Sequence, residues 1–170
     1  FAPFLEASCG NGVSTGLFEV SEHGAYVITG GTSGIGLEIA KHLASKGAKR
    51  LVLVGVRPLP PKSDWEREVA SCNGNADLEK RLADLKSLDE RLVALEIFTG
   101  GLTDLAALKR FFVGVRKRLG PIKGIVHSAG VYSDLTRPAF VKKSSEAIKR
   151  VWEPKVRGLE HLHELFADCL

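Results

Sequence analysis

Methionine is absent from this 170-residue chain, even at position 1. We therefore expect a piece of a longer polypeptide. The sequence also lacks any apolar run near the roughly 20 residues that a membrane-spanning helix needs, and its N-terminus FAPFLEASCG lacks the basic and apolar regions of a signal peptide. These absences argue against a membrane protein and against a secreted one.

Cysteine is scarce, with Cys9, Cys72 and Cys169 scattered along the chain, odd in number and without a CxxC motif. This pattern argues against a disulfide framework or a zinc site and favours a reducing compartment, so we expect a cytoplasmic protein. His161 and His163 are two residues apart and would point about 200° apart on a helix, so they cannot share a metal ion. No metal site is predicted.

The charge pattern contains no long basic run, although the net charge is +4. The longest basic clusters, at 116–118 and 142–143, are typical of solvated helix ends. Nucleic-acid binding is therefore not indicated. The content of 44% hydrophobic and 26% charged residues is ordinary for one globular domain.

Apolar segments with strand and helix periods alternate along the chain after residue 24. Strands are expected at 25–29, 50–56, 91–98 and 122–130, and helices at 36–47, 65–71, 78–89, 103–120 and from 144 to the end of the chain. This alternation predicts an α/β fold, a Rossmann-like, doubly wound parallel sheet. With four strands, we expect the sheet to be truncated before its last strands. Residues 1–24 are interpreted as a linker or incoming edge segment, and 25–170 as the nucleotide-binding part of a domain.

A glycine-rich loop, TGGTSGIG, joins the first predicted strand to the first helix. Gly30 allows a sharp turn after the strand, Gly34 lets the backbone approach a pyrophosphate, and Gly36 lets the helix pack closely. The helix N-terminus would offer free N–H groups to the anion. A plain tight turn is the alternative, but the strand–loop–helix context favours nucleotide binding.

The end of the second predicted strand indicates which nucleotide the loop would bind, NAD(H) or NADP(H). A carboxylate at this point would accept from a ribose 2′-hydroxyl and repel a 2′-phosphate. The sequence instead reads GVR, and the next acid along the chain is Asp64. Arg57 could pair with the phosphate, helped by the hydroxyls of Thr32 and Ser33. NADP(H) is therefore favoured, while a surface arginine in a loop is the alternative.

The last helix carries a lysine on its predicted buried face. Steps of four and three residues connect Ile148, Trp152, Lys155, Leu159, Leu162 and Phe166. Such spacing predicts one helix face, with Pro154 beside the lysine. A lysine facing inward needs a reason, unless its stem merely covers apolar surface.

Together the motifs TGGTSGIG, HSAG and EPKVRGLEHLHELF resemble the ketoreductase domains of modular polyketide synthases, in the short-chain dehydrogenase/reductase superfamily. The segments TGGLTD and RPAFVKKS look closest to the branch found in bacterial synthases that use separate acyltransferases. The resemblance covers about residues 25–170, the N-terminal part of such a domain.

The resemblance implies roles for several residues. Lys155 would be catalytic, its ammonium group lying near the nicotinamide ribose and a catalytic tyrosine, where a cation favours the phenolate. Ala129 and Gly130 would lie against that ribose, with Ser128 at the neighbouring position, and the backbone of Leu102 would meet the adenine. The residues expected to bind NADPH are Gly30, Thr32, Ser33, Gly34, Ile35, Gly36, Arg57, Leu102, Ser128, Ala129 and Gly130.

The resemblance also implies an activity, the NADPH-dependent reduction of a β-ketoacyl thioester presented by an acyl carrier protein beside neighbouring synthase domains. The family's catalytic serine and tyrosine would follow downstream, so we expect the isolated chain to be inactive. Two alternatives stay open. One is a non-catalytic nucleotide-binding or structural half-domain, and the other is a short-chain reductase acting on free small molecules.

Overall fold

The computed structural model describes residues 19–71, 75–130 and 144–167. Four strands and five α-helices alternate within these ranges, and a 3-10 turn, Lys62–Asp64, precedes the second helix. The strands are β1 (Ala25–Thr29), β2 (Arg50–Gly55), β3 (Ala94–Thr99) and β4 (Ile122–His127). The helices are α1 (Gly34–Ser45), α2 (Trp65–Ala70), α3 (Ala76–Arg91), α4 (Leu105–Leu119) and α5 (Ser145–Phe166).

The four strands form one parallel sheet in the order β3-β2-β1-β4. The chain first moves from β1 through β2 to β3 and then crosses back to place β4 on the other side of β1. The strand order therefore reverses at β1, and the carboxyl ends of β1 and β4 flank the point of reversal. The Rossmann-like α/β fold predicted from the sequence is confirmed.

Each central strand is buried on both faces, as expected for a parallel sheet covered by helices on both sides. Tyr26 and Ile28 of β1 belong to a cluster that includes apolar residues of α1, α2 and α3. Ala25 and Val27 of the same strand belong to a second cluster, with residues of α4 and α5. The two clusters are the two halves of the core, separated by the sheet.

Several predicted boundaries moved by a few residues. The third strand begins at Ala94 rather than 91, and the fourth ends at His127 rather than 130. The N-cap of α4 is Asp104, not Thr103 as predicted from the sequence, because the Asp104 carboxylate accepts from the Ala107 amide at 2.9 Å. Ser144 does cap α5, since its hydroxyl accepts from Ala147 N at 3.2 Å.

The prediction of which α5 face is buried was wrong for most of the helix. Trp152 is 49% exposed and Leu159 is 56% exposed, and Ile148 and Lys155 are also exposed. The buried residues of α5 are Ala147, Gly158, Leu162 and Phe166. The small residues Ala147 and Gly158 define the inner face of α5 ahead of Leu162, a face that a search for large apolar side chains misses.

Close backbone approach explains this choice of face. A Cβ added at Gly158 would lie 3.0 Å from Leu102 Cδ1 and 3.6 Å from His127 Cε1, so α5 rests on these two residues through a bare backbone. Further along the helix, the Phe166 ring meets the Phe112 ring edge to face, with centroids 4.8 Å apart. The Arg116 guanidinium also contacts this ring, 5.6 Å from the Phe166 centroid.

Across the described ranges, no helix combines the length and the apolar character needed to cross a membrane.

Candidate nucleotide-binding cleft

A cleft of about 540 Å³ opens at the carboxyl ends of the strands, beside the point where the strand order reverses. Open α/β sheets bind their ligands at such a place. The lining residues come from the end of β2, the loops after β1, β2, β3 and β4, the first turn of α1 and the first half of α5. They are Gly30, Thr32, Ser33, Gly34, Ile35, Gly36, Val54, Gly55, Val56, Arg57, Gly100, Gly101, Leu102, Thr103, Ser128, Ala129, Gly130, Arg150, Glu153 and Pro154.

The cleft therefore brings together all the residues that the sequence analysis assigned to cofactor binding. These residues come from four separate segments, at 30–36, 57, 102 and 128–130. Their convergence is a property of the fold, since up to about 100 residues of chain separate them. What each would contact stays a prediction.

The start of the glycine loop needs glycine because it packs tightly against β4. Gly30 has φ +69°, and a Cβ at this position would lie 2.8 Å from the Ser128 carbonyl oxygen. A Cβ at Gly36 would overlap the Gly30 carbonyl oxygen and lie 2.6 Å from the Ser128 hydroxyl oxygen. Both glycines thus hold the loop and the first turn of α1 against the end of β4, which shapes the wall of the cleft.

Gly34 has a different environment. Its φ is +56°, but an added Cβ would meet no atom of the described chain within 4 Å, so it would point into open space at the cleft. The N-cap Ser33 makes no side-chain hydrogen bond to α1. The N–H groups of the first turn are consequently left for another acceptor, and the helix dipole adds a partial positive charge there. This cradle fits the pyrophosphate of a dinucleotide.

The side chains around this loop differ in their access to the cleft. Thr32 is buried, and a Cβ at Gly55 would overlap its side chain, so Thr32 packs against the end of β2. This packing weakens the expectation that the Thr32 hydroxyl binds a phosphate. Ser33 is half-buried, and Ile35 is largely exposed at the mouth of the cleft.

Arg57 lies at the rim of the cleft, as the sequence analysis expected, but its guanidinium is already paired. Its Nη1 atom lies 3.1 Å from Asp77 Oδ2, an acid from the first turn of α3. Asp77 is twenty residues further along the chain than Arg57, so it was not among the acids expected at the end of β2. The only sequence signal for the contact would have been that α3 begins with acids.

The end of β4 is fastened to the end of β1 by a small polar network. The Ser128 amide and hydroxyl both donate to the Thr29 carbonyl, at 3.1 and 2.9 Å. The Thr29 hydroxyl oxygen accepts from the Ala129 amide at 3.3 Å and lies 2.7 Å from His127 Nδ1. This network positions Ser128, Ala129 and Gly130 along one side of the cleft.

Leu102 connects the cleft to α5. Its side chain is buried, and its carbonyl oxygen lies 2.7 Å from Nδ1 of His161. The family resemblance implies that the Leu102 backbone meets an adenine, and one lone pair of the Leu102 carbonyl is already used by His161. His161, which the sequence analysis considered as a metal ligand and excluded, therefore has a structural role in holding α5 to the loop after β3.

Lys155 does not line the cleft, although its neighbour Pro154 does. The inward orientation expected from the helical stripe is wrong, because Lys155 is on the exposed side of α5. Its catalytic role rests on the family resemblance alone and stays a prediction. Besides Pro154, the α5 residues that line the cleft are Arg150 and Glu153, and both were missed because the stripe assigned the wrong face to the helix.

Within the described ranges, no group of three or more His, Cys, Asp and Glu side chains is placed to hold a metal ion. The cationic groups of the cleft are Arg57 and Arg150, and Glu153 is its acidic side chain. Two arginines, a glycine cradle and one acid suit an anionic ligand better than a cation.

The parallel sheet, the reversal of strand order and the glycine loop at the N-terminus of α1 place the protein in the Rossmann-like class of α/β folds. The family model described as the KR domain matches residues 24–170. The chain therefore belongs to the KR domain family.

Relatives of known name are large synthases. The chain is 36% identical over 143 residues to polyketide synthase PksL of Bacillus subtilis, covering 84% of this chain and 3% of that protein. It is also 33% identical over 144 residues to 6-methylsalicylic acid synthase of Penicillium patulum, covering 84% of this chain and 8% of that protein.

A solved structure, an N-terminal ketoreductase from the macrolactin assembly line, superposes with a TM-score of 0.65 at 29% identity. The match covers 87% of this chain and 26% of that one. This chain thus spans a small part of the synthases it matches and about a quarter of the ketoreductase structure.

Proposed function

We propose that the chain is the nucleotide-binding part of a ketoreductase domain that uses NADPH to reduce a β-ketoacyl thioester on an acyl carrier protein during polyketide synthesis. The acyl carrier protein would present that substrate beside neighbouring synthase domains, and the location would be the cytoplasm. The observation that carries the proposal is the cleft at the β1–β4 reversal, with its open glycine cradle and Arg57 at its rim. Membership of the KR domain family supports the reaction class.

The chain's own groups would bind and orient the nucleotide. The N–H groups at the start of α1 would donate to the pyrophosphate, with Gly34 leaving room for it. Arg57 would pair with the 2′-phosphate through charge-assisted hydrogen bonds. Ser128, Ala129 and Gly130 would form the wall along the nicotinamide-side ribose. When bound, NADPH would supply the hydride for the ketone carbon.

Lys155 would assist the proton transfer to the ketone oxygen. It would do so through a tyrosine from the part of the domain that follows. Because Lys155 lies on the outer face of α5, this tyrosine would have to pack against that face. An ammonium group beside a phenol lowers its pKa by favouring the phenolate, which suits proton transfer to the ketone oxygen.

The cofactor proposal is tested by calorimetric titration of the chain with NADPH and with NADH. We expect tighter binding of NADPH. Arg57→Ala should weaken NADPH binding by about 1.5–3 kcal/mol, the value of a hydrogen bond to a charged group, and leave NADH binding unchanged. A matched control is Arg118→Ala, because Arg118 also forms an exposed pair, with Glu96 at 2.8 Å, at the far end of α4.

Equal affinity for both nucleotides, or equal losses in the two variants, would contradict the assignment of Arg57. The reaction itself is tested in the parent synthase, by following NADPH absorbance with a β-ketoacyl thioester of the carrier protein. Turnover of a free small ketone in preference to the thioester would instead support a reductase of small molecules.

A further inference from the structure

Three charged side chains meet at the end of the cleft where the proposed 2′-phosphate would lie. Arg57 follows β2, Asp77 is in the first turn of α3, and Arg81 is one turn further along the same helix. The Arg57–Asp77 pair is exposed, with 57% and 80% of the two side chains accessible, whereas Arg81 is 7% exposed. A solvent-facing ion pair therefore stands in front of a buried cation.

The local structure determines that Asp77 faces Arg57. Asn75 caps α3 by accepting from the Leu78 amide at 3.1 Å, so Asp77 lies at the helix N-terminus, where an acid is favoured. Arg81 Nη2 donates to the Pro58 carbonyl at 2.7 Å, which ties the loop after β2 to α3. Because Pro58 directly follows Arg57, this tether keeps Arg57 within reach of Asp77.

The charges of the cluster do not balance. Burial lowers the pKa of the Arg81 guanidinium, and the nearby charge of Arg57 lowers that pKa further, while Asp77 raises it. Among the described residues, Arg81 Nε has no hydrogen-bond partner. The cluster thus holds two guanidinium groups and one carboxylate, which is paired with Arg57, and a phosphate arriving at Arg57 would meet Asp77 as a competitor of the same sign.

We propose that Asp77 is a specificity-determining residue, the counter-ion of Arg57 that a 2′-phosphate must displace. Asp77 thereby weakens the preference for a nucleotide with a 2′-phosphate over one with a ribose 2′-hydroxyl. A carboxylate at the end of β2 would exclude the 2′-phosphate, whereas an acid on α3 only lowers the affinity for it. This inference rests on the proposed function, since it requires a nucleotide in the cleft.

The test compares 2′,5′-ADP with 5′-AMP, two probes that differ in the 2′-phosphate and need only the adenosine end of the cleft. Asp77→Asn removes the competing charge without changing side-chain size. We expect the affinity of the chain for 2′,5′-ADP to rise roughly two- to five-fold, the range for an exposed ion pair. The affinity for 5′-AMP should not change, and the gain should shrink with added salt.

A matched control is Asp89→Asn. Asp89 is on the same helix in an exposed pair with Lys62 at 2.8 Å, and it lies twelve residues, or about 18 Å of helix, from Asp77. This variant changes the net charge equally but should leave both affinities unaltered. A gain in both variants would mean that net charge alone is responsible and would overturn the proposal.

A double-mutant cycle isolates the contact. With Arg57→Ala present, Asp77→Asn should no longer raise the affinity for 2′,5′-ADP, because Asp77 then has no Arg57 guanidinium to occupy. The same gain in the absence of Arg57 would overturn the proposal while leaving nucleotide binding intact. If neither probe binds the wild-type chain, the proposed function fails and this inference with it.

Discussion

Gly34 offers the sharpest test of the cleft, because the structure separates its conformational cost from its role in binding. With φ at +56°, replacement by alanine places an L side chain in the left-handed region, which costs about 1–2 kcal/mol. The added Cβ meets no described atom within 4 Å, so no steric term is added to that cost. Gly34→Ala should fold, with a Tm lower by roughly 2–8 °C.

Nucleotide binding should suffer much more than stability. The new methyl group would occupy the space in which a pyrophosphate approaches the N–H groups of α1. Loss of one hydrogen bond to a charged phosphate is worth about 1.5–3 kcal/mol, or roughly a 10- to 150-fold loss of affinity. Calorimetric titration with NADPH measures this loss, and thermal unfolding measures the conformational cost.

Gly120 provides the matched control. It has φ +83° at the C-cap of α4, and a Cβ added there would likewise meet no described atom within 4 Å. Gly120→Ala should lower Tm by at least as much, because φ +83° with ψ −158° is a region essentially restricted to glycine, and it should leave NADPH binding unchanged. If the two variants bind NADPH equally well, Gly34 does not border the pyrophosphate and the interpretation of the glycine loop is refuted.

Two further predictions concern α5. Gly158→Val should destabilise the fold by about 1–3 kcal/mol in denaturant titrations, because the added side chain would push against Leu102. Gly114→Ala in α4 should instead stabilise the fold by up to about 1 kcal/mol, since only the flexible end of an arginine lies nearby. Equal effects on the free energy of unfolding would contradict the close approach of α5. In the parent synthase, Lys155→Ala should reduce turnover by a factor on the order of 10² without changing Tm. The control Lys149→Ala should change neither turnover nor Tm. A loss of stability in Lys155→Ala with unchanged turnover per folded molecule would show that Lys155 is a structural lysine.

The order and type of the elements follow from the sequence because their signals are local. Continuous apolar runs such as AYVIT and RLVLVG are typical of strands that are buried on both faces of a covered parallel sheet. The structure has a strand at each of these two segments. The glycine loop was equally predictable, since a tight turn with positive φ selects glycine whatever surrounds it. The convergence of 30–36, 57, 102 and 128–130 then followed from the parallel topology.

The orientation of α5 was decided by tertiary contacts instead. Its sequence offers a stripe of large apolar side chains, but the helix packs through Gly158 onto Leu102 and His127. Close approach of the α5 backbone to these two side chains requires the absence of a side chain at position 158, and a periodicity argument counts only the side chains that are present. The stripe through Ile148 and Trp152 is consequently exposed in the described structure.

Contacts between residues that are far apart in the sequence likewise could not be predicted from it. Arg57 was identified as a cation at the right strand end, but its partner Asp77 comes from the start of a helix twenty residues away. The contact between His161 and the Leu102 carbonyl spans 59 residues. The sequence alone determined which groups could bind an anion at the cleft, because residue chemistry and local turns are encoded in neighbouring residues. Only the tertiary structure decided which of those groups already have partners, because that depends on where helices and loops meet in space.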